Sequence, residues 1–191
     1  MNKVFIFFLF FLGLFITPSI FALNKIPPEP YYCKIIDRIT HKYLKEYILP
    51  QGLDCICIGG SMMGDIQAVA LGFVSYKALN VDEARKLYVN IIEEYLHRVN
   101  CNEEVRPYLH NYPFTINNLE FTIRFSHPNG KRIADNEHVA HMFFIKSRNL
   151  LFYTSYDYKI DDFQDLHKES YEEALKIVQE SSHLKTNTTS P

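Results

Sequence analysis

The sequence predicts an α+β domain: an antiparallel sheet of about five strands with helices packed on one face, in the order α-β-β-α-β-β-β-α. Three observations carry that prediction. Apolar residues recur at helical spacing in three separate stretches. Alternating or continuous apolar runs lie between them and read as strands. Short turns join those strands, which favours antiparallel pairing.

The 191 residues are 47% hydrophobic and 22% charged, too apolar for a disordered chain. With 20 basic against 22 acidic side chains, the chain has no electrostatic footprint for nucleic acid. A chain of this length is one domain, and it can bury a core without metal or disulfide staples.

Residues 1–22 read as a secretory signal peptide. Lys3 is the only charge, Val4 to Ile16 is apolar apart from Gly13, and Thr17-Pro18-Ser19 breaks the run before a small residue, Ala22. Cleavage is expected after Ala22, although Ile20 stands where a small residue is usual. The alternative is an uncleaved anchor, since Val4 to Leu23 is just long enough to span a bilayer. Residues 23–30 form a proline-rich lead-in with Pro27, Pro28 and Pro30. The folded domain is expected over 31–180 and a polar, disordered tail over 181–191.

A first helix is expected over 31–47, with Tyr32, Ile36, Ile39, Tyr43 and Tyr47 as its buried stripe and Pro50-Gln51-Gly52 as its end. Its basic side (Lys34, Arg38, His41, Lys42 and Lys45) reads as a solvated face. Strands follow at 53–58 and 65–76, joined by the turn cluster Gly59-Gly60-Ser61-Met62-Met63-Gly64. The second helix starts at a capping box, Asn80 with Glu83, and buries Val81, Ala84, Tyr88, Ile91, Tyr95 and Val99. Glu94 and Arg98 make an i,i+4 pair on its outer face. A strand at 119–125 alternates cleanly. Asn129-Gly130 signals a type I′ hairpin turn. The stretch 138–146, apolar on both faces, reads as a central strand, and 150–156 as its neighbour. A last helix starts at Ser170, again with a capping box through Glu173.

Four cysteines, Cys33, Cys55, Cys57 and Cys101, permit disulfides in an exported protein. Cys55 and Cys57 are expected on one face of a strand, too strained to bond each other, which leaves Cys33 with Cys101 as the simplest bridge. Four thiols acting as small hydrophobes are the alternative. Cys-Ile-Cys is not a Cys-x-x-Cys redox motif, and no second ligand pair stands at zinc-finger spacing.

Motifs for catalysis are sparse. There is no Gly-x-Ser-x-Gly, and Gly59-Gly60-Ser61 lacks the Gly-Lys-Ser/Thr end of a phosphate loop. His138 and His141, with Glu137 beside them, would point to opposite faces of a strand, so edge or turn histidines are favoured over a metal pair. The segment 106–114 stands out. Arg106, Tyr108, His110 and Tyr112 put a guanidinium, an imidazole and phenol rings into one proline-stiffened loop, the candidate partner- or ligand-binding surface. The competing reading is a structural crossover that packs Tyr112 and Phe114 on the core.

The stretch from Gly64-Asp65-Ile66-Gln67 through Val81-Asp82-Glu83-Ala84-Arg85 to Arg106-Pro107-Tyr108-Leu109 and Tyr112-Pro113-Phe114 resembles an uncharacterised family of small exported proteins of intracellular bacteria, over most of 31–180. The resemblance implies a cell-envelope location and no known activity, and it carries no catalytic residue across.

The sequence therefore leads to an exported protein, periplasmic or secreted, that binds a protein or small ligand of the envelope. No cofactor and no nucleic acid are expected, and membrane contact only through the N-terminal segment if it is retained. The alternatives are a periplasmic hydrolase using His110 or His138 with a carboxylate, and a secreted host-directed effector.

Overall fold

A computed structural model describes residues 29–187; the expected signal peptide and its cleavage point lie outside them. Helix α1 spans Tyr31–Tyr43 and runs on through a π-turn at Leu44–Ile48 and a 3₁₀ turn at Leu49–Gln51. Ile36, Ile39 and Tyr43 of the expected stripe are buried, joined by Ile35 and Thr40, while Tyr32 and Tyr47 are only half-buried. Strands β1 (Leu53–Ser61) and β2 (Ala68–Ser75) pair antiparallel. Helix α2 (Val81–Asn100) opens on the Asn80–Glu83 capping box, with both reciprocal bonds formed. Strands β3 (Leu119–Phe125), β4 (His141–Ile145), β5 (Leu150–Asp157) and β6 (Asp162–Glu169) follow, and α3 (Tyr171–Asn187) closes the described chain.

The fold is α+β, with one six-stranded mixed sheet in the order β1-β2-β3-β4-β5-β6. Two corrections to the expected sheet have plain causes. β2 and β3 run parallel, because α2 carries the chain back over the sheet as a crossover rather than a hairpin. β6 is an additional strand; its mostly polar, exposed residues hide it from a hydrophobic pattern, as befits an edge strand.

Four local expectations also change. The Asn129-Gly130 turn is not type I′: Gly130 N–H bonds to His127 O at 2.9 Å, and of the two central residues only Gly130 takes positive φ. It is a type I turn followed by a left-handed glycine. His138 lies before β4, which starts only at His141. The Gly59-Gly60-Ser61 turn is the end of β1. The polar stretch after Ser181 is helical as far as Asn187, so the tail does not begin at 181.

The cysteines are thiols, as one of the two readings had them, but Cys57 and Cys101 are exposed rather than buried. All four are free, so the Cys33–Cys101 bridge is not formed. Cys33 is half-buried in the first turn of α1, and Cys101 is exposed at the end of α2 with its sulfur 3.5 Å from His97 Nδ1. Cys55 pairs with Phe73 and Cys57 with Gly72 across a bulge. That one-residue slip puts the two sulfurs on opposite faces.

Helices cover one face. Tyr43 and Tyr95 pack their rings on Phe121, the Tyr88 hydroxyl donates to Phe121 O at 2.8 Å, and Tyr171 meets Phe144 edge-on. Strand parity sets Phe121, Ile123, Met142, Phe144 and Tyr153 on that same side, where the core lies. Among the described residues no helix is long and apolar enough to cross a membrane.

Candidate binding surface

The loop between α2 and β3 is anchored at both ends and in the middle. Asn100 brackets Phe114: its Nδ2 donates to Phe114 O at 2.9 Å and its Oδ1 accepts from Phe114 N at 2.7 Å. Phe114 is buried, and Tyr112-Pro113 is a cis peptide. In the middle, Leu109 makes a parallel bridge with Ile66 in the β1–β2 turn. Ile66 N donates to Tyr108 O at 2.8 Å, and His110 N donates to Ile66 O at 3.0 Å.

That bridge brings together residues far apart in the chain. His110 Nδ1 lies 2.7 Å from Asp65 Oδ2. The imidazole holds the Asp65 carboxyl below the usual aspartate range. Arg106 sits with its guanidinium 4.9 Å from the Tyr112 ring centroid, in cation–π range. Tyr108 stacks on Tyr32 at 5.9 Å and meets Tyr31 edge-on at 6.5 Å. Tyr31 in turn donates to Glu104 at 2.6 Å, which pairs with Arg38.

All four sequence-predicted residues are therefore at one end of the molecule, but as two pairs and a stack rather than one cluster. Arg106 engages Tyr112, His110 engages Asp65, and Tyr108 joins the tyrosines of α1. Of the two aromatics expected to pack inward, only Phe114 does; Tyr112 is 54% exposed. Tyr31 and Met63, 59% and 86% exposed, belong to the same end.

The Asp65–His110 pair fixes Nδ1 and leaves Nε2 as the free ring nitrogen, the arrangement of an oriented general base. A similar pair forms at His138, whose Nδ1 lies 2.9 and 3.0 Å from the Asp135 oxygens. His141 is instead packed against Phe143 and Phe163. The two histidines therefore have different partners, and among the described residues no group of three metal-ligating side chains occurs.

Sequence reading missed a second polar centre. Arg85, 6% exposed, donates from Nε to Glu169 Oε1 at 2.7 Å and pairs with Asp82. Tyr153 also donates to Glu169 Oε1, and His167 lies 3.6 Å from its other oxygen. A cleft of about 460 Å³ opens beside this network between Asp82, Arg85, Glu137 and His167. The signal was present: position 85 falls inside the buried stripe of α2, where a charge needs a buried partner. The identity of that partner, on β6, was not readable.

Compared with known proteins, the chain matches no family model, no curated sequence and no solved structure.

Proposed function

We propose that this chain is an exported, periplasmic or secreted, binding domain that recognises a partner through the end built from the 106–114 loop and the β1–β2 turn. One observation supports the reading above others: Tyr31, Met63 and Tyr112 stand exposed on backbone that is cross-braced from beneath. Large amphipathic rings on preorganised backbone lose little entropy on binding, the economy of a recognition surface. Arg106 beside Tyr112 adds a charge-assisted donor of the kind that concentrates binding energy at interfaces.

The test is site-specific photo-crosslinking in the cell of origin. Crosslinkers at positions 63 and 112 are expected to yield one discrete adduct, and a crosslinker at Lys176 on α3 none. Arg106→Ala and Tyr112→Ala should abolish the adduct from position 63. Equal labelling from position 176, or none from 63 and 112, would refute the reading. Export is checked separately: N-terminal sequencing of the native protein should begin at Leu23, whereas an intact Met1 means a retained anchor.

A second reading, a hydrolase, is favoured specifically by the 2.7 Å Asp65–His110 pair. It requires that turnover of a chromogenic ester by the purified chain fall in His110→Gln and stay unchanged in His138→Gln. Turnover that survives both variants removes it.

A further inference from the structure

The sheet has a face that no helix covers. There the register aligns Thr122, Phe143 and Phe152 in one row and Arg124, His141 and Thr154 in the next. Phe143 and Phe152 stack at 5.5 Å with ring planes 4° apart.

The ladder between β3 and β4 stops early. It holds Thr122–Phe143, Ile123–Met142 and Arg124–His141, although β3 begins at Leu119 and β4 runs to Ile145. Tyr88 stands at that point: its buried hydroxyl donates to Phe121 O at 2.8 Å, taking the carbonyl next to the last pair of the ladder. Past that point a groove of about 780 Å³ opens, walled by Thr122, Phe143 and Ile145, with His141 at one end and Glu120, Lys146 and Ser147 at the other; Arg124 and Arg132 stand outside it, beyond His141.

The His141 end gathers positive charge, with Asp161 reaching it only through the Tyr156 hydroxyl. Arg124 is the cross-strand partner of His141. The Arg132 guanidinium lies 4.4 Å from the Tyr156 ring centroid and 5.4 Å from that of Phe163, and the Phe163 ring is 5.6 Å from His141. Among the described residues neither arginine has a carboxylate ion pair, whereas Arg38, Arg85 and Arg98 each have one. Burial and these two guanidiniums hold His141 below the ordinary histidine value. Ser126 adds a second, independent sign. It stands two residues past Arg124 on the same face, bridges to Arg132, and is 2% exposed, yet its Oγ has no hydrogen-bond partner. An orphan buried hydroxyl on the residue bridged to Arg132 and two positions from Arg124 marks a region where an oxyanion would complete the bonding.

We propose that this face binds a medium-chain acyl carboxylate, its carboxylate held by Arg124 and Arg132 and its chain laid along Phe143 and Ile145 toward Lys146. Between the ends Phe143 and Ile145 supply most of the wall against Thr122, and Glu120 stands beside Lys146 at the far end, away from the arginines, so the middle suits a chain with no polar groups of its own. An extended peptide fits less well. Tyr88 already takes the Phe121 carbonyl, and a peptide would bury amides with few partners. The span of β4 sets the length at roughly 15 Å.

The experiment is calorimetric titration of the purified full chain with dodecanoate below its micelle concentration, alongside dodecanol. Histidine ring signals are followed by NMR in the same samples. Saturable dodecanoate binding is expected, with the His141 ring signals shifting and those of His110 and His138 unmoved. Dodecanol should bind at least about tenfold more weakly, and an Arg124→Ala/Arg132→Ala double variant should lose a similar factor for dodecanoate. Ile145→Ser should weaken both ligands; it reports on the groove even if Phe143→Ala does not fold. Absence of binding, equal affinity for the acid and the alcohol, or wild-type affinity in the double arginine variant overturns the proposal. Tighter binding of an acidic extended peptide at His141 overturns the acyl assignment.

Discussion

Cutting the buried Arg85–Glu169 pair on one side should be far more damaging than removing it whole. The pair joins α2 to β6, with Arg85 6% and Glu169 4% exposed. Glu169→Ala leaves a guanidinium with only Asp82 as its acid, and Asp82 is itself largely solvent-exposed. It also strips the Tyr153 hydroxyl of its acceptor in a site where the ring is fully buried. An uncompensated buried charge costs roughly 3–5 kcal/mol. For a domain of this size, that is a fall in Tm of roughly 6–20 °C. Replacing both partners by apolar residues, Arg85→Met with Glu169→Leu, removes the orphaned charge, and Tyr153→Phe removes the orphaned hydroxyl. The triple variant is expected within about 1–2 kcal/mol of wild type. Urea unfolding followed by circular dichroism, with the slope of the transition held constant, gives each value. An exposed control is built in: Glu46, paired with Arg98 at 2.9 Å on the surface, should cost under about 1 kcal/mol when changed to Ala. If Glu169→Ala loses no more than Glu46→Ala, or the triple variant is as unstable as the single one, burial is not what makes this pair matter.

Three further outcomes are expected. Gly60→Ala should destabilise the β1–β2 hairpin by about 1–3 kcal/mol, since a Cβ there would sit 2.3 Å from Ala68 O; Gly59→Ala, whose Cβ would meet Ala70 at 4.0 Å, should be tolerated, and thermal melts of the two variants decide it. Asn80→Ala should cost about 1 kcal/mol through loss of the capping box, read by urea unfolding, with Glu83→Ala adding little once the cap is gone. His141 is depressed by burial and by Arg124 and Arg132, so the unfolded chain binds its proton more readily than the folded one. Its contribution is complete above the unfolded value near pH 6.5 and is lost as the pH falls toward the folded value. Stability measured between pH 7 and 5 should decline, and His141→Phe should flatten that part of the slope.

The helices were the most legible part of the fold, for a physical reason. A capping box and a long apolar stripe are local signals, and at Asn80, Glu83, Tyr88 and Tyr95 the structure adds nothing the spacing had not implied. Strands with one buried face were equally plain, as at Leu119–Phe125. What stayed hidden depends on distance along the chain or on a single misplaced residue. β6 has too few apolar residues to announce itself. The bulge between Cys55 and Cys57 reverses the facing of one cysteine, and no periodicity contains that information. The candidate loop was visible as a composition, but the partner that orients His110 is Asp65, 45 residues earlier. Only the Ile66–Leu109 bridge makes them neighbours. The uncovered sheet face was also illegible, because a strand such as 138–146 that is apolar on both sides reads as buried on both sides.

The distribution of arginines separates structural charge from available charge. On the helices, Arg38, Arg85 and Arg98 all point to carboxylates and act as clamps: Arg38 to Glu104 in the loop, Arg85 to Glu169 on β6, Arg98 to Glu46 beside α1. Each joins elements that the sheet alone would leave apart. Away from α1 and α2, Arg106, Arg124, Arg132 and Arg148 have no carboxylate ion pair among the described residues, and two of the four lie over aromatic rings instead. A ring orients a guanidinium without neutralising it, so the planar donor group stays free for an incoming acceptor. Such a charge contributes little to folding and would be selected against in a surface that meets only water, where a lysine serves solubility as well. Arg85 and Arg98 also lie over rings, but with carboxylates beside them; the two on rings without an acid, Arg106 and Arg132, stand at the surfaces where binding is proposed, the Tyr112 end and the His141 face. They also predict how those surfaces fail: Arg106→Lys and Arg132→Lys keep the charge and lose the stacking, so both should weaken binding while leaving urea unfolding within about 0.5 kcal/mol of wild type.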